Sequence, residues 1–286
     1  MKGLIRAEFR KMLPTPLWWA LLIPVAPWSL LVAWYGTAIG QVEVLQEVTG
    51  QALPTGLLAM SLATNYSTIF AALLGALIMT RESWNKTITT TFLTANPRSS
   101  VLGAKLVLCL ALSVVYGIVN AVFGLLGGYL GGSLGHAAGG VGGLDQWLII
   151  GGAGVLATVL WALLGFGFGA LVNNSVAAVL VLVFYKFMVD VLASIGLAGS
   201  QFAWLSGYLP GAASNGIVGN LAVPMFISEF AGPRESIVPV QAFEQLHAVF
   251  GGDYGFAWWG SALVFAGYAA LFCGGAMLLV RNREIN

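Results

Sequence analysis

Two ionisable side chains sit where none is expected. Lys186 and Asp190 lie inside an apolar run at about 175–197, spaced i, i+4 and so on one helical face. Ionisable groups at membrane depth are costly unless paired or hydrated, and they mark function when they persist. Such a pair can exchange a proton, line a polar path or sit at a subunit seam. It can also neutralise itself while packing against neighbouring helices. Asn65, Tyr66, Ser67 and Thr68 form a second polar group in an apolar run. They suit either a pathway lining or hydrogen bonds across helices. Other chemistries are poorly supported. The only histidines, His136 and His247, fall between apolar runs and read as exposed loop residues, so no axial haem pair forms. No His/Cys/carboxylate cluster lies in an apolar run, so no metal site is expected. A P-loop needs Gly-x4-Gly-Lys followed by Ser or Thr. Gly103-Ala104-Lys105 has neither the first Gly nor the hydroxyl. If ATP supplies energy, another chain binds it with its magnesium.

The elements that position these groups are membrane spans. Of 286 residues, 58% are apolar and 8% charged, against about 25% charged in soluble domains. A net charge of +1 excludes a general nucleic-acid binder. Stretches long enough to cross a bilayer run about 17–39, 58–79, 104–130, 147–172, 175–197 and 257–280. The expected fold is an all-α membrane protein, one domain over 1–286, with six transmembrane helices. Pro24 and Pro27 should kink the first. Gly124, Gly128 and Gly132 recur every four residues, and Gly260, Gly267 and Gly274 every seven, which suits close helix packing. Asn173-Asn174-Ser175 makes a very short turn between the fourth and fifth spans. The segment 198–256 reads as an external loop with short helices, one starting at Tyr208-Leu209-Pro210-Gly211. Trp18, Trp19, Trp147, Trp258 and Trp259 stand at span ends as interfacial anchors.

Basic residues set the orientation. Lys2, Arg6, Arg10, Lys11, Arg81, Lys86, Arg98, Lys105, Arg281 and Arg283 are ten of the 12, all on one side. The positive-inside rule therefore puts both termini in the cytoplasm.

Two cytoplasmic pieces stand out. Residues 1–16 carry an amphipathic pattern, with Ile5, Phe9 and Met12 on one face and Lys2, Arg6 and Arg10 on another. That suits a helix lying on the membrane lipid at the inner interface, or a basic flank that only sets topology. The element at 80–103 begins Arg81-Glu82-Ser83-Trp84-Asn85-Lys86-Thr87, with Glu82 and Lys86 at i, i+4. It suits docking on a cytoplasmic partner, or a plain solvated loop.

These pieces resemble the permease subunits of ABC-2 type ATP-binding-cassette transporters. The family's leading Ala-Glu-x-x-Lys and aromatic span start appear as Ala7-Glu8-Phe9-Arg10-Lys11 and Thr15-Pro16-Leu17-Trp18-Trp19. Its next motif appears as Glu82, Thr87, Leu93, Pro97, Arg98, Leu102 and Lys105, with Lys86 in place of the family's Gly. Tyr208-Leu209-Pro210 completes the resemblance. The resemblance implies a non-catalytic membrane subunit in a prokaryotic inner or plasma membrane. It implies a second permease, identical or related, and two copies of an ATPase subunit that hold ATP and magnesium. Arg6, Glu8, Phe9, Arg10 and Lys11 of the interfacial helix, and Arg81, Glu82, Trp84, Asn85, Lys86 and Thr87 of the coupling helix, would sit on that ATPase. Spans one, two and five would wall the path, with Asn65, Tyr66, Thr68, Lys186 and Asp190 as candidates for path or seam. The substrate would be hydrophobic or amphipathic and exported. The rival reading is an ion-coupled secondary transporter that titrates Lys186 and Asp190. A third is a non-transporting scaffold or sensor subunit.

Overall fold

The computed structural model describes residues 2–40, 53–84, 98–133, 142–198, 203–231, 246, 247, 250 and 256–282. Among these the chain is helical, with no strand. The helices are α1 (Lys2–Met12), α2 (Pro16–Leu22), α3 (Val25–Gly40), α4 (Thr55–Trp84), α5 (Arg98–Ser133), α6 (Leu144–Val172), α7 (Ser175–Phe184), α8 (Asp190–Ala198), α9 (Pro210–Ala231) and α10 (Trp258–Asn282). A π-helical turn, Tyr185–Val189, joins α7 to α8, and a 3-10 turn, Ala203–Tyr208, precedes α9. Six stretches are long and apolar enough to cross a membrane: Pro16–Gly40, Thr55–Thr80, Ser100–Ser133, Leu144–Val172, Ser175–Ala193 and Trp258–Leu279. The first is α2 and α3, broken beside Pro24, whose ring and missing N–H cannot continue a helix.

Spans two and four form the centre of the bundle and are mostly buried. Spans one, five and six are mostly exposed. The central pair is brought together by glycine. A Cβ on Gly75 would overlap the Ala162 carbonyl, and a Cβ on Gly165 would overlap the Ala72 carbonyl. Each helix thus lays its backbone into a gap left by the other, which only glycine leaves open. Around this pair Trp161, Phe265, Ile217 and Met60 fill one core, and Leu74, Leu108, Tyr116 and Phe166 a second.

The Asn173-Asn174-Ser175 turn is as short as its sequence predicts. Asn173 takes the left-handed conformation, φ 54°, and caps α6. The Asn174 side chain then accepts the Val176 and Ala177 N–H groups and starts α7. Ser175 Oγ donates to Thr80 Oγ1 at 2.8 Å, tying this turn to span two.

Four expectations need correcting. The external segment contains one helix of 22 residues, α9, rather than only short pieces. It starts at Pro210 as predicted, but it enters the core through Ala213, Ile217 and Ala222 instead of lying over the spans. Gly124 and Gly128 do pack, against Met60 and the Trp147 ring, yet Gly267 and Gly274 face open space within the chain. Trp147 is buried under Gly128, not held at an interface. His247 is buried rather than exposed, and nearby in sequence the Phe250 carbonyl accepts from Ser61 Oγ of span two at 2.8 Å.

Candidate functional site

At the α1 end of the bundle, Glu8 anchors the first helix to span three. Its carboxylate lies 2.8 Å from Lys105 Nζ and 3.1 Å from Lys11 Nζ. Glu8 and Lys105 are both buried. Burial pushes the Glu8 carboxyl up, but Lys105 and Lys11 together outweigh it and hold the group below its ordinary value. Met12 is buried and Phe9 half-buried beside this pair, while Arg6, Arg10 and Lys11 are exposed. The five residues predicted on α1 therefore divide. Glu8 and Phe9 face the bundle and the three bases face out. The α1–span one corner is fixed further by Tyr116, whose hydroxyl donates to the Trp18 carbonyl.

Span two continues as helix beyond its apolar stretch, through Arg81, Glu82 and Trp84. The other predicted coupling residues, Asn85, Lys86 and Thr87, lie outside the described residues.

Midway through the bundle is a polar cluster that the sequence reading missed. Ser29 Oγ and Ser67 Oγ donate to Asn120 Oδ1 at 2.6 and 2.9 Å, and Asn120 Nδ2 donates to Thr64 Oγ1 at 2.9 Å. The four side chains are buried and join spans one, two and three. Ser67 belongs to the polar group read from span two, and its hydrogen bond crosses helices. Thr68 is also buried and bonds the Asn65 carbonyl of its own helix. The signal for this cluster was Asn120 itself, a lone amide in a 36-residue helix.

Tyr66 turns outward. Its ring meets Trp28 edge-to-face at 5.9 Å and stacks on Phe187 at 6.0 Å. All three rings are exposed on the bundle surface. Spans one, two and five thus share one aromatic row on an exposed face. Trp28 and Phe187 escaped the sequence reading because aromatic residues in an apolar run give no local sign of which way they point.

Lys186 and Asp190 face the other way. Both are buried, on and just after the π-helical turn. A Cβ on Gly211 would collide with the Asp190 carboxylate, so the carboxylate lies against the backbone at the start of α9. An anion there meets the positive end of the helix. The Lys186 ammonium stands 4.7 Å from the centre of the Trp161 ring. Trp161 in turn donates its indole N–H to Ser214 on α9 at 2.5 Å. Among the described residues Lys186 Nζ makes no hydrogen bond, and neither do Asn65 Oδ1 and Asn215 Oδ1. A desolvated cation–π contact recovers about 2 kcal/mol. Burying an ammonium costs several kcal/mol after relaxation. The ring alone does not offset that cost. Among the described residues no group of three or more His, Cys, Asp or Glu comes together to hold a metal.

The described residues form a helical bundle with six potential spans and one long helix, α9, packed into its core before the last span. The family model for ABC-2 family transporter proteins matches residues 4–189, well over half of the chain and covering spans one to four and most of span five. The chain belongs to that family and is a membrane-embedded transport component. No curated protein matches it.

Proposed function

We propose that this chain is the permease subunit of an ATP-driven ABC-2 exporter for a hydrophobic or amphipathic substrate. The observation that carries the reading is the family match over residues 4–189. ATP and magnesium are held by two copies of a separate ATPase. A second permease, identical or related, completes the path. Both termini lie in the cytoplasm of a prokaryotic cell, on the side of the basic residues. α1 rests on the inner interface. The continuation of span two, with the rest of 80–103, meets the ATPase and carries its closure into the spans as a largely rigid movement. Spans one, two and five face the second permease, and the exposed row Trp28, Tyr66 and Phe187 supports that assignment. Trp28, Tyr66 and Phe187 make this face aromatic, in keeping with such a cargo.

Affinity purification of the chain from its native membrane should bring down an ATPase. Glu82→Arg should leave the complex hydrolysing ATP while transport drops. Transport driven by a proton gradient in vesicles that hold no ATP would overturn the reading.

A further inference from the structure

The first helix commits its apolar side to the protein. Met12 is buried and Phe9 packs beside it, in the core that also holds Leu102 and Leu108 of span three. The only acid of α1, Glu8, is buried on that same side against Lys105. Positions 3, 6, 7 and 10 make the opposite face, since i, i+3, i+4 and i+7 line one side of a helix. They are Gly3, Arg6, Ala7 and Arg10, all exposed. A Cβ on Gly3 would meet nothing within 4 Å. Two guanidinium groups one turn apart thus stand over a floor of small residues, with exposed Lys2 at the edge and no acid of the helix on that side. The level of this face follows from its neighbours. Lys105 stands inside the apolar stretch Ser100–Ser133, so α1 lies beside the end of a span and not below it. Leu13-Pro14-Thr15 joins α1 to span one. Thr15 Oγ1 donates to the Met12 carbonyl at 2.8 Å and Trp18 Nε1 to the Leu13 carbonyl at 3.0 Å, which ties that corner. Leu13 and Trp19 are exposed there. Apolar and indole side chains at a span end mark the membrane boundary, so the neighbouring arginines stand at head-group level.

We propose that the Gly3, Arg6, Ala7 and Arg10 face is a docking surface for anionic phospholipid head groups. The inference rests on the inner-interface placement of α1 given above and not on the ATPase. An ordinary interfacial helix enters a bilayer largely by its apolar side. Phe9 and Met12 are already taken up by the bundle, so what α1 has left to hold lipid is charge. Arginine takes a phosphate in paired, charge-assisted hydrogen bonds. The small floor lets that phosphate come down between the two guanidiniums. Anionic lipid and the Glu8–Lys105 pair then hold α1 from opposite sides.

The full-length chain in a neutral detergent is titrated with dioctanoyl phosphatidylglycerol, dioctanoyl phosphatidylcholine and glycerol phosphate, following thermal unfolding and lipid adducts in native mass spectrometry. The anionic lipid should bind about tenfold or more tighter than the zwitterionic one, since each base near an acidic surface is worth about fivefold. Salt should erode the preference. Arg6→Gln with Arg10→Gln should remove most of it. Arg281→Gln with Arg283→Gln, an equal loss of charge at the other end of the chain, should leave it in place. Arg6 and Arg10 are exposed, so their variant should unfold as the unaltered chain does when no lipid is added. Equal binding of the two lipids would overturn the proposal. So would a preference that the Arg281 and Arg283 exchanges reduce as much as the Arg6 and Arg10 exchanges do. Glycerol phosphate binding as tightly as phosphatidylglycerol would make the face a free-anion site instead. Loss of a co-purifying ATPase in the Arg6 and Arg10 variant, with lipid preference unchanged, would assign the face to that partner and end the proposal. The titration needs no ATPase. A preference found where no ATPase co-purifies would sink the transporter reading and leave this surface. A co-purifying ATPase without the preference would do the reverse.

Discussion

Glu8 and Lys105 are 97 residues apart in sequence and meet at 2.8 Å, both buried. The contact joins the first helix to the base of span three, and it sets α1 against the bundle rather than leaving it as a free basic tail. Removing one member of a buried pair strands the other, at a cost of about 3–5 kcal/mol. Glu8→Lys and Lys105→Glu should each lower stability by that order in denaturant unfolding. The double exchange should recover part of the loss, the remainder reflecting like-charge repulsion between position 8 and Lys11, which lies 3.1 Å from the Glu8 carboxylate. No recovery in the double exchange would show that the contact contributes only shape.

The same carboxylate gives a pH dependence. Glu8 titrates lower when folded than when unfolded, with burial opposing the two lysines that hold it down. Its share of stability is then complete above the ordinary carboxylate value. It is lost as pH falls through the lowered folded value, because the unfolded chain binds the proton first. Unfolding midpoints of the unaltered chain and Glu8→Gln should therefore converge as pH falls through that region. A constant difference would contradict the assignment.

Asn120 bonds three hydroxyls across spans one, two and three. Ser29 and Ser67 also reach carbonyls of their own helices, Val25 and Thr64. They are not orphaned when the amide goes, so Asn120→Leu should cost only about 1 kcal/mol. A double-mutant cycle with Thr64→Val isolates the bond that has no such fallback. A coupling near zero would rule out an energetic role for it.

Gly165→Ala drives a methyl into the Ala72 carbonyl, and backbone cannot yield as a side chain can. A loss of about 1–3 kcal/mol is expected from overpacking. Gly267→Ala, where a Cβ meets nothing within 4 Å, should stay within about 0.5 kcal/mol. Thermal unfolding of the two variants side by side is the check. Equal effects would mean that the glycines act through helix propensity alone.

Gly211→Ala forces the Asp190 carboxylate away from the start of α9. Its effect and that of Asp190→Ala should not add, since each breaks the same contact. Additive losses in unfolding would place the two residues in separate interactions.

Hydropathy and length made the six spans legible, because a bilayer sets both. The Asn-Asn-Ser turn and the Pro210 start were legible from local capping chemistry. What a helix faces was harder. Gly124 and Gly267 each stand in a glycine repeat, yet Gly124 meets Met60 and Gly267 meets nothing within 4 Å, since partner identity is a tertiary fact. Lys186 and Asp190 were visible as charges at depth. Their attachment to Trp161 and Gly211 was not, because α9 lies among apolar and small residues with no period that says it is buried. Glu8 and Lys105 each stood in a motif, and nothing local linked them.

Spans two and four, interlocked through Gly75 and Gly165, have no room to slide against each other without lifting backbone off backbone. They behave as a keel. Displacement applied to the Arg81–Trp84 extension of span two must reach the far end of both helices at nearly full amplitude. The other spans pack around this pair through side chains, which can repack where interlocked backbone cannot.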